Sequence, residues 1–142
     1  MFDVETKSEK VIKNIIEQKF TDVLEGLCKK SGNNVIIDYI YFKHFATKET
    51  YDLITQIICS KMDEVLREND LFNVHINMKT LSLTEIDKHK SFLYYFSEHM
   101  KIRYPNKLEK CIIYNSSYIF IQIYNIVGMF VDKETLSKIQ LN

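Results

Sequence analysis

The stretch Tyr104-Pro105-Asn106-Lys107-Leu108-Glu109-Lys110-Cys111-Ile112-Ile113-Tyr114-Asn115 decides the fold. Pro105 ends the helix before it, because proline disfavours helical geometry in the preceding residue. Lys110 to Asn115 then reads as a short, largely apolar strand. Tyr118 to Phe130 follows as a strongly apolar helix, and Asp132 can cap a last short one over Lys133 to Lys138. Ile139 to Leu141 can begin a final strand. A strand with helices on both sides is the unit of a parallel sheet, since parallel neighbours need a crossover connection.

The same alternation runs upstream. Ser82-x-x-Glu85 has capping-box spacing and opens a helix with Leu93, Phe96, Met100 and Tyr104 on one side. Leu71 to Lys79 alternates cleanly: Phe72, Val74, Ile76 and Met78 on one face, Asn73, His75, Asn77 and Lys79 on the other. Thr47 can cap a helix reaching about Asn69, with Ile54, Ile57, Ile58, Met62 and Val65 as its buried stripe. Val35 to Phe42 suits an interior strand. Residues 6 to 31 read as a helix opened by a Thr6-x-x-Glu9 box, with Gly32 supplying left-handed C-cap chemistry. The order α-β-α-β-α-β-α-α, with a last β, predicts an α/β fold: a largely parallel or mixed β-sheet covered by helices.

Composition sets the bounds. The chain has 142 residues, 46% apolar and 27% charged, with nineteen basic side chains against nineteen acidic ones. That fits one domain over residues 1–142, an N-terminal helix (1–33) followed by a core (34–142). It argues against a highly charged nucleic-acid binder. Three glycines and one proline, against roughly 17 expected from average usage, exclude a Gly-rich phosphate loop. Phe, Tyr, Met, Ile, Asn and Lys make up 69 residues, as A/T-rich coding would produce, so lysine abundance by itself carries little meaning. Cys28, Cys59 and Cys111 lie in apolar stretches with no C-x-x-C pair. They read as buried thiols in a reducing compartment. The N-terminus has no secretory signal core. The longest apolar run, Tyr118 to Val131, is shorter than the roughly 20 residues a span needs. A cytoplasmic protein is expected, able to sit peripherally on a membrane.

No catalytic set stands out, and no cofactor or metal is implied. His44, His75, His89 and His99 lack metal-ligand spacing; a Cys–His dyad could form from His75 and Cys111 if their strands are neighbours. From Lys88 to Lys110, six basic residues face two acidic ones. This excess suits a solvated face or contact with anionic headgroups or an anionic bilayer. Nucleic acid is disfavoured, because interleaved exposed aromatics are missing.

The order of features after Tyr104 is specific. Tyr104-Pro105-Asn106-Lys107, the strand ending in Asn115-Ser116-Ser117, the apolar helix, then Phe130-Val131-Asp132 and Ser137-Lys138-Ile139 resemble the CRAL-TRIO lipid-binding domain. That family includes phosphatidylinositol-transfer proteins and retinal- and tocopherol-binding proteins. Its members show a Tyr-Pro-Glu-Arg-like turn, Asn-Ala-Pro, Phe-Leu-Asp and Ser-Lys-Ile in this order. Val74 to Ser82 is similar to the family's strand ending in Asp-x-x-Gly-Leu-Ser. The resemblance implies a sheet forming the floor of an apolar pocket and a helix closing it as a gate. The gate maps onto Ser117 to Met129, with Phe120, Ile121, Tyr124, Val127 and Met129 toward acyl chains or the membrane. Lys138, of the Ser-Lys-Ile motif, maps onto a headgroup-binding lysine, with Lys101, Arg103, Lys107 and Lys110 as further headgroup or membrane contacts. The chain departs from the family at Asn106, where the turn has an acidic residue; at Asn77 and Thr80, where the motif has Asp and Gly; and at Ser116-Ser117 in place of Ala-Pro.

Two functions follow from the resemblance. One is non-catalytic binding of a lipid or other hydrophobic molecule, a phosphoinositide among the candidates. The other is a scaffold with a degenerate pocket, binding a small GTPase or its regulator. Separately, an exposed apolar helix could pair two copies of the chain. Asn73, His75 and Asn77 count against full enclosure of a lipid if their strand face lines the pocket, since each buried polar group needs a partner.

Overall fold

The computed structural model describes residues 24–116 and 119–142, apart from the side chains of Phe45 and Phe120. The Thr6–Glu9 box and the helix expected up to residue 23 lie outside them. Strand β1 (Cys28–Ser31) and strand β2 (Asn34–Asp38) form an antiparallel hairpin. Residues 28–31 were expected to be helix. Instead Gly32, at φ 62°, starts a two-residue hairpin turn whose first position requires positive φ. The helix ends early, over residues 24–27.

The strand expected to reach Phe42 stops at Asp38. Its carboxylate accepts a hydrogen bond from the Ile40 amide (3.2 Å) and caps α1 (Tyr39–Phe45), which buries Tyr39 and Phe42. Helix α2 (Tyr51–Leu66) follows, then β3 (Phe72–Asn77). The helix expected from Ser82 to Tyr104 is two, α3 (Leu83–Lys88) and α4 (Lys90–Arg103), broken at His89. Strand β4 (Leu108–Tyr114), α5 (Phe120–Val127), α6 (Lys133–Ser137) and β5 (Ile139–Leu141) complete the order. Ser82 and Asp132 cap α3 and α6 as expected, accepting from the Glu85 and Thr135 amides at 3.3 and 2.7 Å.

The sheet order is β1-β2-β3-β4-β5, parallel from β2 onward. Sequential parallel strands joined by right-handed crossovers carry their helices on one face. That face shows two apolar rows. Val35, Val74, Cys111 and Ile139 are in register, and so are Ile37, Ile76, Ile113 and Leu141. The opposite face presents Ile36, His75, Ile112 and Gln140 in one row, and Asp38, Asn77 and Tyr114 in another. Helix α2 packs directly on β1, β2 and β3, and its Ile54, Ile58, Met62 and Val65 are buried. Tyr104 pins α4 to α2: its hydroxyl shares one proton between Asp63 Oδ1 (2.6 Å) and the Cys59 carbonyl (3.0 Å).

Candidate functional site

Helices α4 and α5 do not rest on the sheet as α2 does. Between them and β3–β5 lies a cavity of about 420 Å³, within the ordinary range for small-molecule sites. Its floor is the apolar sheet face, including Val74, Ile76, Cys111 and Ile113. One wall is α4, through Phe92, Leu93, Phe96 and Met100, residues that recur every three or four positions as one stripe. Ile58 and Met62 of α2 form the other side, and Ile123 and Val127 of α5 the roof.

Asn73, His75 and Asn77 lie on the far face, so the feared contact between acyl chains and polar strand groups does not arise. His75 accounts for both ring nitrogens there, with the Tyr114 hydroxyl at 2.8 Å and Asn34 Oδ1 at 2.9 Å. Its strand does neighbour that of Cys111, but His75 is in register with Ile112 and Cys111 with Val74. Imidazole and thiol therefore sit on opposite faces, and no dyad forms. Burial pushes the Cys111 thiol up to about 12.

The gate residues divide. Val127 lines the cavity, Tyr124 is half-buried away from it, and Ile121 and Met129 are 70% and 66% exposed. The Phe120 side chain and Ser117 fall outside the description. Ile123 was missed, although Ile119, Ile123, Ile126 and Val127 mark the inward face by their own spacing. Of the expected headgroup residues, Lys101 and Lys138 reach the cavity, at its outer rim beside Asp132, Thr135 and Asn106. Lys138 has Glu134 Oε1 at 3.9 Å, and Lys101 has Glu98 Oε1 at 3.2 Å. Arg103 is engaged with Asp63 at 2.6 Å, while Lys107 and Lys110 are exposed; none of these three lines the cavity. The basic stretch is thus spread over several directions.

A second polar group lies at the other end. There Tyr39, Glu85 and His89 line the cavity. The Tyr39 hydroxyl donates to Glu85 Oε2, and Lys43 Nζ stands 3.1 Å from Oε1. Burial acts to raise the Glu85 carboxyl, but the hydrogen bonds from Tyr39 and Lys43 and the lysine charge outweigh it, so the carboxyl titrates below its ordinary range. His89 Nδ1 lies 3.0 Å from the Tyr51 hydroxyl, and its ring meets Phe42 edge-on at 4.9 Å. Burial, then Lys88, lowers its pKa and keeps it neutral. The sequence offered Glu85 only as a capping residue; its amide does bond Ser82, but its carboxylate turns inward instead.

The sequence model of the CRAL/TRIO domain matches residues 21–142. The chain belongs to the CRAL/TRIO domain family. The crystal structure of Sfh5 is similar, with a TM-score of 0.71 at 17% identity, over 85% of this chain and 49% of that one. This chain therefore spans about half the length of that relative. A search of curated proteins gives no match. Three turn positions hold non-glycine residues at positive φ. Thr80, at the motif's glycine position, has φ 73°, a conformation unfavourable for a β-branched residue. Asn106 and Asn115 adopt φ 59° and 61°, which asparagine tolerates. Asn77 Oδ1 accepts from Asn115 Nδ2 (2.8 Å) and ties the ends of β3 and β4 together. Among the described residues no cluster could hold a metal ion, and no helix is long and apolar enough to cross a membrane.

Proposed function

We propose that this CRAL/TRIO chain forms one ligand-holding domain that carries a lipid or similar hydrophobic molecule in the cavity beneath α5, without catalysis. The observation that carries the reading is the hollow itself: an apolar sheet face, in register over four strands, left unfilled where α4 and α5 pass over it. Burying a ligand's apolar surface there gains about 25 cal/mol per Å². Lys101 and Lys138 at the rim suit an anionic headgroup, such as that of a phosphoinositide, held at the surface. Exposed Ile121 in α5 and Met129 just after it suit transient docking on an anionic bilayer, where an apolar face enters the headgroup layer. A scaffold for a small GTPase or its regulator calls for a filled core beneath α5; the cavity there supports ligand binding over that reading.

Incubation with phosphatidylcholine vesicles containing phosphatidylinositol, followed by re-isolation and lipid extraction, tests the proposal. Near-equimolar bound lipid is expected. Lys138→Ala should lower phosphatidylinositol uptake several-fold and leave phosphatidylcholine uptake unchanged. No uptake of either lipid would overturn the proposal, and equal loss of both would remove Lys138 from headgroup recognition.

A further inference from the structure

The cavity is apolar along its length but polar at both ends, and the ends differ. Lys101 and Lys138 at the rim are charged and reach solvent. His89 at the inner end is only 7% exposed. His89 starts α4 and Lys101 lies near its end, so twelve residues of helix separate the two poles, about 18 Å at 1.5 Å per residue. At the inner pole every strong group except one is spoken for. Both Glu85 oxygens are engaged, by Tyr39 and Lys43, and His89 Nδ1 has Tyr51. His89 Nε2 makes no hydrogen bond among the described residues. Nor is it one of the sealed polar atoms without a partner, which are Asn73 Oδ1 and Ser116 Oγ. It is therefore accessible, on a ring that lines the cavity. When the Tyr51 phenol donates to Nδ1, the neutral ring carries its proton on Nε2; in the other tautomer Nε2 accepts, and a hydroxyl can pair with either.

We propose that His89 Nε2 recognises a single uncharged hydroxyl at the inner end of the ligand, so that the cavity favours long-chain or ring-system alcohols over molecules ending in methyl or carboxylate groups. This rests on the reading of the cavity as a ligand site. A hydroxyl accepts from Nε2–H and keeps a proton for a second partner. A methyl terminus leaves the buried donor unpaired, which costs affinity. A carboxylate enters beside the ionised Glu85, with Lys43 already committed to it and His89 neutral, so it finds no spare cation.

The test is displacement of a fluorescent apolar dye by 1-dodecanol, tridecane and dodecanoate; tridecane has the same length but no oxygen to accept from Nε2–H. The preference for the alcohol over tridecane is expected to be about tenfold larger in the wild type than in His89→Phe, the worth of one buried hydrogen bond, and dodecanoate should show no such difference. A second readout needs no variant: the His89 ring ¹⁵N resonances should shift at Nε2 with the alcohol and stay in place with tridecane. The same preference in wild type and variant, or an Nε2 resonance unmoved by the alcohol, would overturn the proposal while leaving the cavity reading intact. If none of the three displaces the dye from the wild type, the cavity reading falls and this one with it.

Discussion

The two halves of the sheet face the same helical layer and use it differently. Over β1–β3, α2 sits directly on the strands, and Leu27, Val35, Ile54, Val65 and Phe72 are wholly buried. Over β3–β5, α4 and α5 stand away, and residues just as apolar face a void. Similar composition thus produces a solid core in one half and a container in the other. The difference comes from spacing. Tyr104, hydrogen-bonded across to Cys59 and Asp63 and with its ring tilted against Phe72, ties the end of α4 to α2 and to the start of β3. Apolar character alone therefore does not tell core from ligand site; what the side chain meets does.

The largest expected effect separates the halves by truncation. Ile54→Ala should cost about 2–5 kcal/mol in urea denaturation, because a buried aliphatic side chain leaves a cavity behind. Val127→Ala, in the roof of a hollow that already exists, should cost less than about 1 kcal/mol. Equal losses would mean that both halves are packed alike. Enlargement gives the next effect, in the opposite sense. Cys59→Phe should destabilise by about 1–3 kcal/mol through overpacking. Val127→Phe should hold the melting temperature within a few degrees and reduce 1-dodecanol binding more than tenfold.

Smaller effects sharpen the contrast. Thr80→Gly should stabilise by about 1 kcal/mol, since it relieves a left-handed backbone position in the loop leading to the cavity wall; no gain would remove that strain from the account. The thiols provide the finest test. Cys28 and Cys111 are both pushed by burial up to about 12. Their thiolate fraction, and so alkylation by N-ethylmaleimide, should be small at pH 8 and rise about tenfold per pH unit below that value. Cys111, opening on the void, should react faster than Cys28 in the solid half, and added 1-dodecanol should slow Cys111 alone. Equal rates would place the two thiols in equivalent surroundings.

Much of this was legible beforehand because it depends on local pattern. The alternation of Phe72 to Met78, the Ser82 and Asp132 caps and the stop at Pro105 each follow from neighbours in sequence. The family resemblance could be read from the order of motifs after Tyr104. What was not legible depends on distant partners. Cys28 to Ser31 carries helical spacing but becomes an edge strand because β2 offers it a ladder. Tyr39 to Phe42 has strand propensity but becomes helix once Asp38 caps it. Glu85 looked finished as part of a cap, and only α1, forty residues upstream, turns its carboxylate inward. Of the gate residues expected toward acyl chains or the membrane, Val127 lines the cavity while Ile121 and Met129 are exposed. Ile123, not among those expected, is buried against the cavity, and the 119–123–127 spacing was there to show it. The lysines show the limit of counting charge, since five residues from one basic stretch and one motif diverge and only Lys101 and Lys138 meet.

If the space beneath α5 is a ligand site, native mass spectrometry of the freshly purified chain, under conditions that keep non-covalent complexes, should reveal the occupant. The expected species is heavier than the bare 16.9 kDa chain by one small hydrophobic molecule, at close to one per chain, with Val127→Phe shifting the population to bare protein. Bare wild-type protein that stays bare after exposure to lipid vesicles and to 1-dodecanol would contradict a ligand site there.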